Sequence, residues 1–462
     1  MKNNPLVSIY ITNYNYGKYI RDSINSVLSQ TFQDFELFII DDGSTDNSKE
    51  IIEEYRDNAR ITIIYQHNKG LNVTNNIAMR ASSGKYIMRL DADDYLTKDA
   101  LFEMTATLES DSDLGLVFPD YYYVDAEGNK TGEEIRHNFD KDVSLFDQPA
   151  HGACTMIRLE NLKKLGGYNE SFTCQDGYDL WIKFIMHYKV TNINKPLFYY
   201  RRHGNNLTVN EERILSTRKK IKETYVDSYK LLTPSTVAII PVRNTFIDGV
   251  NWPLFEINGR TILENGLIKL FDSKKVDWIV ITSSDAEILN YIDLIKNNYS
   301  DKLIVIKRPE QFSKSNETLH KTFEYVLDKL KEKQINPEAL LSVSLEYPFL
   351  TTDIIDDAIY TLTIFKADSL LSVRPDNKMY YQHIGHGLVP ILEQEKFSKL
   401  EREALYKGQG GIVLSTVKNF LENKKMLGGK VGHIVVDEKV SFGVFGAWDL
   451  KVLKSISNND VL

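Results

Sequence analysis

The stretch YIMRLDADD at residues 86–94 joins a strand-like run to three carboxylates at its end. Because side chains alternate along a strand, Asp91 and Asp93 are expected to point the same way where the chain leaves it. Like charges this close need a counter-charge, and Mg²⁺ or Mn²⁺ would bind carboxylate oxygens together with water and phosphate oxygens. A lone D-x-D pattern is more often a solvated acidic turn, so its surroundings must decide.

The residues before this stretch alternate between strand-like and helix-like segments. β-Rich runs cover residues 7–11, 36–40, 61–65 and 86–90, and helix-like segments lie between the first three. This order predicts a largely parallel sheet of the α/β class. Ligands of such sheets bind beyond the carboxyl ends of the strands. Three polar clusters fall at these ends and are expected to share one crevice: Thr12–Tyr16, Asp41–Asp42 and Asp91–Asp94.

A second series of strand candidates follows Pro234 and predicts a second α/β domain. These candidates are residues 237–241, 278–282, 303–306, 340–343 and 369–373. Between the two series, residues 211–232 are charged and helical in pattern, with an apolar stripe of Ile214, Ile221, Tyr225 and Leu232. We expect one domain at 1–210, a helical linker at 211–234 and a second domain at 235–462.

Composition narrows the functional classes. The net charge of −8 argues against a general nucleic-acid binder. No apolar run is long enough for a transmembrane segment, and the N-terminus lacks a signal-peptide pattern. We therefore expect a cytoplasmic protein, or one that is peripheral at the inner face of the membrane. Cys154 and Cys174 are too few for a disulfide framework and lack the spacing of a zinc site.

Six motifs follow one another through the first half of the chain. They are TNYN at 12–15, SVLSQTF at 26–32, IIDDGSTD at 39–46, NKG at 68–70, LDADD at 90–94 and QDGYDLW at 175–181. In order and spacing, over about residues 5–210, they resemble inverting family-2 glycosyltransferases of the GT-A fold. The resemblance implies a hexosyltransferase-type enzyme that depends on Mn²⁺ or Mg²⁺. It would move a sugar from a nucleoside-diphosphate sugar, with UDP favoured, to a hydroxyl acceptor.

The resemblance also implies roles for single residues in donor binding. Thr12, Tyr14 and Asp42 would hold the nucleotide, with the Tyr14 ring against the base and Asp42 accepting a hydrogen bond from it. Asp91 and Asp93 would address the ribose, the diphosphate and the metal, and Asp93 is the stronger candidate for direct coordination. Apart from the resemblance, all of these are ordinary residues of strand ends and turns.

Three more residues complete the expected donor and metal site. Asn76 belongs to the donor-binding set, whereas Asn75 stands where an arginine is common in the family. The stretch YYRRHGNN at 199–206 resembles the closing loop of the family. Arg202 would then fold over the diphosphate, and His203 would reach the metal. A lone histidine is also often a structural hydrogen-bond donor.

The expected general base is Asp176, on the first turn of a predicted helix. In the family the matching carboxylate deprotonates the acceptor hydroxyl as its oxygen attacks the anomeric carbon, which inverts the stereochemistry. Outside such a context, a carboxylate at a helix start is more often a cap. Many relatives carry glutamate where Gln175 stands, so the role of this neighbour is open. Residues 151–153 are expected to border the acceptor, with Gly152 allowing substrate close to the backbone.

Residues 236–455 resemble cytidylyltransferases that make CMP-activated acidic sugars. The resemblance rests on AIIPVR at 238–243, PLFEINGR at 253–260 and shorter matches at 282–285, 308–310 and 346–349. Trp252, however, stands where a phosphate-binding lysine is expected, and residues 441–446 contain no carboxylate where paired aspartates would hold a metal. We therefore expect a catalytically degenerate domain that serves oligomerisation, acceptor docking or regulation.

Two other interpretations remain open. In the first, the second domain also transfers CMP to a sugar, and the protein is bifunctional. In the second, the protein is a scaffold that binds sugar nucleotides without turnover, although retention of Asp91, Asp93 and Asp176 speaks against it. The expected partners are a nucleotide-sugar donor and a glycan, lipid-linked or protein acceptor, in surface-polysaccharide or protein glycosylation.

Overall fold

The computed structural model describes residues 4–203, 210–299, 302–313, 318–376, 380–390 and 405–457. The chain forms two compact units, Met1–Arg218 and Lys219–Leu462. Each unit contains its own sheet with helices, so the α/β class expected for both halves is confirmed. In the described ranges, no helix is long and apolar enough to cross a membrane.

In the described part of the first unit there are nine strands and the helices that cover them. The strands are β1 (Val7–Asn13), β2 (Phe35–Asp41), β3 (Ile61–Tyr65), β4 (Tyr86–Asp91), β5 (Tyr95–Leu96), β6 (Leu114–Val124), β7 (Lys130–Glu134), β8 (Met156–Arg158) and β9 (Lys189–Arg201). The helices are α1 (Ile20–Leu28), α2 (Ser48–Glu53), α3 (Leu71–Ala81), α4 (Ala100–Ser110), α5 (Leu159–Lys164), α6 (Asp176–His187) and α7 (Glu211–Ser228), which continues past the division at Arg218.

The strand order of the first sheet places a topological switch point at the carboxyl ends of β1 and β4. The order is β3-β2-β1-β4-β8-β6-β9-β5, with β7 paired to β6. The first four strands are parallel, as the alternating pattern predicted. The chain lays β2 and β3 on one side of β1 and then returns to place β4 on the other side. Ligands of parallel sheets bind at such a switch point, beyond the carboxyl ends of the strands.

Both faces of this sheet are covered by apolar side chains. On one face, Val7, Ile9 and Ile11 of β1 pack in a cluster with three α1 residues at helical spacing: Ile20, Ile24 and Val27. On the other face, Tyr10 lies in a cluster with Phe38 and Ile40 of β2 and with Trp181 and Phe184 of α6. Because the faces are filled, the polar residues of β1, β2 and β4 collect at the carboxyl edge.

The described residues of the second unit are built around a seven-stranded sheet. Its strands are β10 (Thr236–Pro241), β11 (Phe246–Ile247), β12 (Val250–Asn251), β13 (Glu256–Ile257), β14 (Arg260–Thr261), β15 (Trp278–Ser283), β16 (Leu303–Lys307), β17 (Ala339–Val343), β18 (Ser369–Asp376), β19 (Tyr381–His383), β20 (Leu388–Pro390), β21 (Leu405–Thr416) and β22 (Val431–Val435). Its helices are α8 (Ile262–Phe271), α9 (Ala286–Ile295), α10 (Leu319–Glu332), α11 (Thr352–Phe365), α12 (Val417–Asn423) and α13 (Ala447–Ser457). The sheet order is β16-β15-β10-β17-β21-β18-β22, with the first four strands parallel.

The segment expected to link the domains is only partly helical. α7 ends at Ser228, and the division between the two units falls inside it, after Arg218. Three members of the expected apolar stripe are buried: Ile214, Ile221 and Tyr225. Leu232, the fourth, is 95% exposed, so its assignment to the stripe was wrong because the helix stops one turn earlier.

Candidate functional site

The polar residues of three strand ends meet at the switch point of the first sheet. Thr12 and Asp91 are direct neighbours in the pairing of β1 with β4. The Thr12 hydroxyl donates to Asp91 Oδ1 over 3.3 Å, and Ala92 N donates to Thr12 O over 3.2 Å. These contacts tie the D-x-D stretch to the end of β1, so it is a structured strand exit and not a solvated turn.

Asp41 and Asp42 shape the loops around this edge. Asp41 accepts from Asn13 Nδ2 at 2.7 Å and from Ser44 N at 2.9 Å. Asp42 accepts from Gln66 Nε2 at 2.6 Å, Lys69 N at 2.8 Å and Gly70 N at 2.9 Å. A carboxylate offers about four acceptor positions, so Asp42 has about one left for a ligand.

Tyr14 stands apart from these buried groups. Its side chain is 46% exposed. An exposed aromatic ring beside a ligand crevice is available to lie against a planar base.

Arg89 lies at the centre of the carboxylate cluster. Its side chain is only 6% exposed, and Nη1 donates to Asp176 Oδ2. Its Nε lies 2.9 Å from Asp91 Oδ1 without the alignment of a hydrogen bond, and Nη2 donates a long hydrogen bond to Asp91 Oδ2 over 3.5 Å. The contact with Asp91 is thus a looser ion pair than the hydrogen-bonded contact with Asp176. One guanidinium joins the D-x-D stretch to the expected base.

Asp93 and His203 form the second pair of the site. His203 Nε2 lies 2.9 Å from Asp93 Oδ2. The imidazole stacks on Tyr19 with ring centroids 5.4 Å apart and meets the Tyr16 ring edgewise at 5.5 Å. The structure therefore brings together two of the three residues expected at a metal, and the third, Asp91, lies two positions before Asp93. The rest of the closing-loop motif, Gly204 to Asn206, lies outside the described residues.

Burial raises the pKa values of two carboxyl groups of the D-x-D stretch. The pKa of Asp91 is raised by burial and by Asp93, while Arg89 acts in the opposite direction. The pKa of Asp94 is raised well above its usual range by burial and then by Asp93 and Asp91. Asp94 Oδ1 accepts from Arg201 N at 2.9 Å, so this residue fastens β9 to the site. Crowded carboxylates of this kind favour a cation.

Asp176 occupies the first position of α6, as the sequence predicted. Gln175 before it has a left-handed backbone φ of 62°, which non-glycine residues rarely adopt. Its side-chain oxygen accepts from Arg218 Nε at 2.6 Å. An amide at this position serves that contact without adding another negative charge beside Asp176.

Gly152 faces the Arg89 and Asp176 pair from the opposite side. A Cβ at Gly152 would lie 2.7 Å from Arg89 Nη2 and 3.5 Å from Asp176 Oδ2. A Cβ at Gly177 would lie 3.2 Å from the Gly152 Cα. Substrate was expected to come close to the backbone at Gly152, but in the structure the Arg89 side chain takes this place.

Two expected donor-binding residues point elsewhere. Asn76 Nδ2 donates to Tyr168 O and Glu170, both at 2.8 Å, and its Oδ1 accepts from Tyr168 N at 2.9 Å. This use of both amide groups favours a structural role. The Arg202 guanidinium lies over the Tyr123 ring, 3.6 Å from its centroid, so it would have to turn to reach a diphosphate.

Arg89 is the residue that the sequence analysis missed. It precedes Asp91 by two positions on β4, and this spacing places both side chains on one face of the strand. That signal was available in the sequence. The contact of Arg89 with Asp176, 87 positions later, was not available before the fold was known.

Comparison with known proteins places this site in a wider group. Residues 8–166 match the profile described as glycosyl transferase family 2. An uncharacterized glycosyltransferase of Methanocaldococcus jannaschii is 33% identical over 228 residues, which cover 47% of this chain and 76% of the relative. Chondroitin synthase of Escherichia coli is 34% identical over 212 residues, 45% of this chain and 31% of the synthase. Hyaluronan synthase of Pasteurella multocida is 32% identical over 207 residues, 44% of this chain and 21% of the synthase.

The chain thus spans less than a third of either polysaccharide synthase. Among solved structures, S. aureus TarS in complex with UDP-GlcNAc is 19% identical and aligns with a TM-score of 0.41. That alignment covers 48% of this chain and 66% of the TarS chain.

Proposed function

Since the chain belongs to glycosyl transferase family 2, we propose that it transfers a sugar from a nucleoside-diphosphate sugar to a hydroxyl group with inversion at the anomeric carbon. One observation carries the proposal: Asp176 and the D-x-D stretch, far apart in sequence, flank the same buried arginine at the switch point. A base and a donor-binding group must be neighbours in such a reaction. We assign transfer to the first unit.

We assign donor binding to Thr12, Tyr14 and Asp42, with Asp91 beside the ribose. The exposed ring of Tyr14 and the remaining acceptor position of Asp42 support this assignment. Asn76 is left with a structural role because its amide is committed to the loop at residues 168–170. A UDP-sugar is the first choice of donor, on the resemblance to the family.

We propose that Mn²⁺ or Mg²⁺ assists the reaction. Among the described residues, no three His, Cys, Asp or Glu side chains form a ready cage for a metal ion. These hard cations, however, are often held by one or two carboxylates together with substrate phosphates, so the residues present fit. Asp93 and Asp91 would bind the ion, with His203 beside them. The bound cation would offset the charge that grows on the departing nucleoside diphosphate.

Asp176 is the proposed general base. Its Oδ2 is held by Arg89, and within the described ranges its Oδ1 has no hydrogen-bond partner. Oδ1 would accept the proton of the acceptor hydroxyl while the acceptor oxygen bonds to the anomeric carbon. The bond from that carbon to the diphosphate oxygen breaks in the same step, which accounts for inversion. Arg202, after turning from Tyr123, would pair with the diphosphate.

The acceptor is proposed to enter beside residues 151–153. His151 packs against Phe198 and Tyr200, with ring centroids 5.5 and 4.9 Å apart, and forms a firm wall there. Two relatives are named as synthases of polysaccharides, which favours a glycan acceptor in surface-polysaccharide synthesis. Protein glycosylation is the second setting. We place the reaction in the cytoplasm or at the inner membrane face.

A donor panel tests the proposal and its metal dependence. The full chain is incubated with UDP-, GDP-, dTDP- and CMP-sugars in Mn²⁺, Mg²⁺ or EDTA, and the released nucleotide is measured. We expect wild type to release one nucleoside diphosphate when metal is present. The EDTA-treated protein and the Asp93→Asn variant should both release it much more slowly. Release that EDTA leaves unchanged would contradict the metal assignment. Reaction with CMP-sugars alone would overturn the proposed donor class.

For the second unit we propose a cytidylyltransferase-like fold without its chemistry. Trp252 is 1% exposed, and its Nε1 donates to Leu345 O over 3.2 Å. The position expected to hold a phosphate-binding lysine is thus part of the core. Val444, within the segment that lacks the metal-binding aspartates, donates its backbone N–H to Glu346 O over 2.8 Å. Oligomerisation or acceptor docking, through exposed aromatics such as Phe445 and Trp448, is the role we propose instead.

A further inference from the structure

The Arg89 side chain contacts two carboxylates that have different proposed tasks. Asp91 follows it by two residues on β4 and belongs to the donor site, whereas Asp176 begins α6 and is the proposed base. A guanidinium is a rigid planar fork, so its position sets the direction from which a paired carboxylate approaches. Lysine, a single flexible point charge, cannot impose this geometry.

The surroundings of Arg89 hold the fork in one place. Gly152 leaves room for Nη2 at a distance where any larger side chain would collide with it. Gly177, the second residue of α6, lets the Gly152 backbone approach closely. In the loop before β8, Cys154 N donates to Arg89 O over 2.8 Å. The backbone and the side chain of Arg89 are therefore both fixed by the loop at 151–154.

The two contacts of Arg89 are unequal. The hydrogen bond to Asp176 takes only Oδ2, and within the described residues Oδ1 is left without a partner. Asp91 receives only a long hydrogen bond, from Nη2 to Oδ2 over 3.5 Å, and a contact of 2.9 Å between Nε and Oδ1 that lacks hydrogen-bond alignment. Arg89 thus constrains the base more tightly than it constrains the donor-site carboxylate.

We propose that Arg89 is a positioning residue that holds Asp176 by Oδ2 and turns Oδ1 toward the acceptor hydroxyl. This inference rests on the proposed function and refines it. Arg89 itself transfers no proton, because its role is to fix the carboxylate that does. Its loss should reduce the rate of transfer through Asp176 and leave the binding of nucleotide nearly unchanged.

A double-mutant cycle separates this role from a merely structural one. The four proteins are wild type, Arg89→Lys, Asp176→Asn and the double variant, each measured for kcat at saturating donor. We expect Arg89→Lys to lower kcat about tenfold when Asp176 is present, and less than about twofold in the Asp176→Asn background, since residues that act as a unit are not additive. An equal tenfold loss in both backgrounds would overturn the proposal.

Nucleotide binding supplies a readout that does not depend on turnover. Titration calorimetry with UDP, or with the diphosphate selected by the donor panel, should give a Kd for Arg89→Lys within about threefold of wild type. A loss of affinity as large as the loss of kcat would assign Arg89 to the donor site instead.

Arg89→Met, which removes the charge, should lower kcat by at least 10²-fold, about the effect of losing the base.

Lys183→Met is the matched control for removing a buried cation near α6. Lys183 pairs with Asp179 at 2.7 Å on the same helix and lies outside the proposed site. Lys183→Met should lose stability but keep kcat within about twofold. An equal loss of kcat in Lys183→Met and Arg89→Met would indicate general damage to the fold and contradict a positioning role. If wild type transfers no sugar, the proposed function itself fails. If wild type and Asp176→Asn behave as expected but Arg89→Lys is fully active, only this inference fails.

Discussion

Asp176 is the residue on which the proposed chemistry depends most directly. Asp176→Asn keeps the shape of the side chain but removes the charge that accepts the proton. We expect transfer to fall by about 10² to 10⁴-fold, the usual contribution of a general base, while the Kd for nucleotide stays close to wild type. Initial rates at saturating donor and nucleotide titration measure the two effects.

Asp179→Asn is a suitable control for this substitution. Asp179 lies on the same first turn of α6, but it is buried against Lys183. The control should lower the melting temperature and leave kcat within about threefold. Full activity of Asp176→Asn would remove Asp176 from the mechanism.

Gly152 is needed for space, not for a left-handed backbone. In Gly152→Ala, the new methyl group would lie 2.7 Å from Arg89 Nη2, so the guanidinium must move. We expect kcat to fall by about 10 to 100-fold, because a displacement of about 1 Å in a catalytic group can cost about 10²-fold. Gly408→Ala, whose methyl group would have 3.7 Å of clearance from Leu371, should leave transfer unchanged. Equal rates for Gly152→Ala and wild type would show that Arg89 has room to adjust.

At the scale of elements, α8 carries a lysine in an unfavourable environment. Lys269 Nζ donates to Pro348 O, which joins α8 to the loop after β17. Burial, and then the nearby Lys439, lower the pKa of Lys269 to about 8. The unfolded chain would keep the ordinary lysine pKa of about 10.4. The folded state therefore disfavours the charged form of the Lys269 side chain, although this side chain joins α8 to the loop.

The stability of the second unit should rise with pH because of this lysine. Between about pH 8 and 10 the unfolded chain binds more protons than the folded one, so the free energy of unfolding increases with pH. Well below pH 8 both states are protonated, and the contribution is constant. We expect the stability of wild type relative to Lys269→Met to rise by about 1.5 kcal/mol from pH 8 to 9.5, measured by urea unfolding with tryptophan fluorescence. Parallel pH profiles for the two proteins would contradict the prediction.

At the scale of the whole molecule, each unit has a complete sheet and core of its own. The proposed division of labour gives transfer to the first unit and a noncatalytic role to the second. We expect no pyrophosphate when the full chain is incubated with CTP, Mg²⁺ and an acidic sugar such as N-acetylneuraminate. The same preparation must be active in the donor assay. Pyrophosphate release above background would favour the bifunctional interpretation.

Most of the predictions that the structure supports came from the motifs at the strand ends. Strand periodicity predicted β1 to β4, because burial on both sides of a parallel sheet leaves a regular apolar pattern. Neighbouring polar residues such as Asp91 and Asp93 were found because their spacing is local. Local patterns did not predict the surroundings of Asn76 and Leu232. The hydrogen-bond partners of the Asn76 amide, and the point at which the helix before Leu232 ends, depend on contacts with residues distant in the sequence.

The parallel order of β1 to β4, the family and the identity of the acidic residues can be inferred from the amino-acid sequence, because periodicity and motifs are properties of neighbouring residues. Only the folded chain brings Asp91, Arg89 and Asp176 into one cluster. It arises when β4, the loop at 151–154 and the start of α6 pack together, and the packing leaves one buried guanidinium to balance two carboxylates. Which oxygen of Asp176 remains for substrate follows from this long-range contact, and no local pattern encodes it.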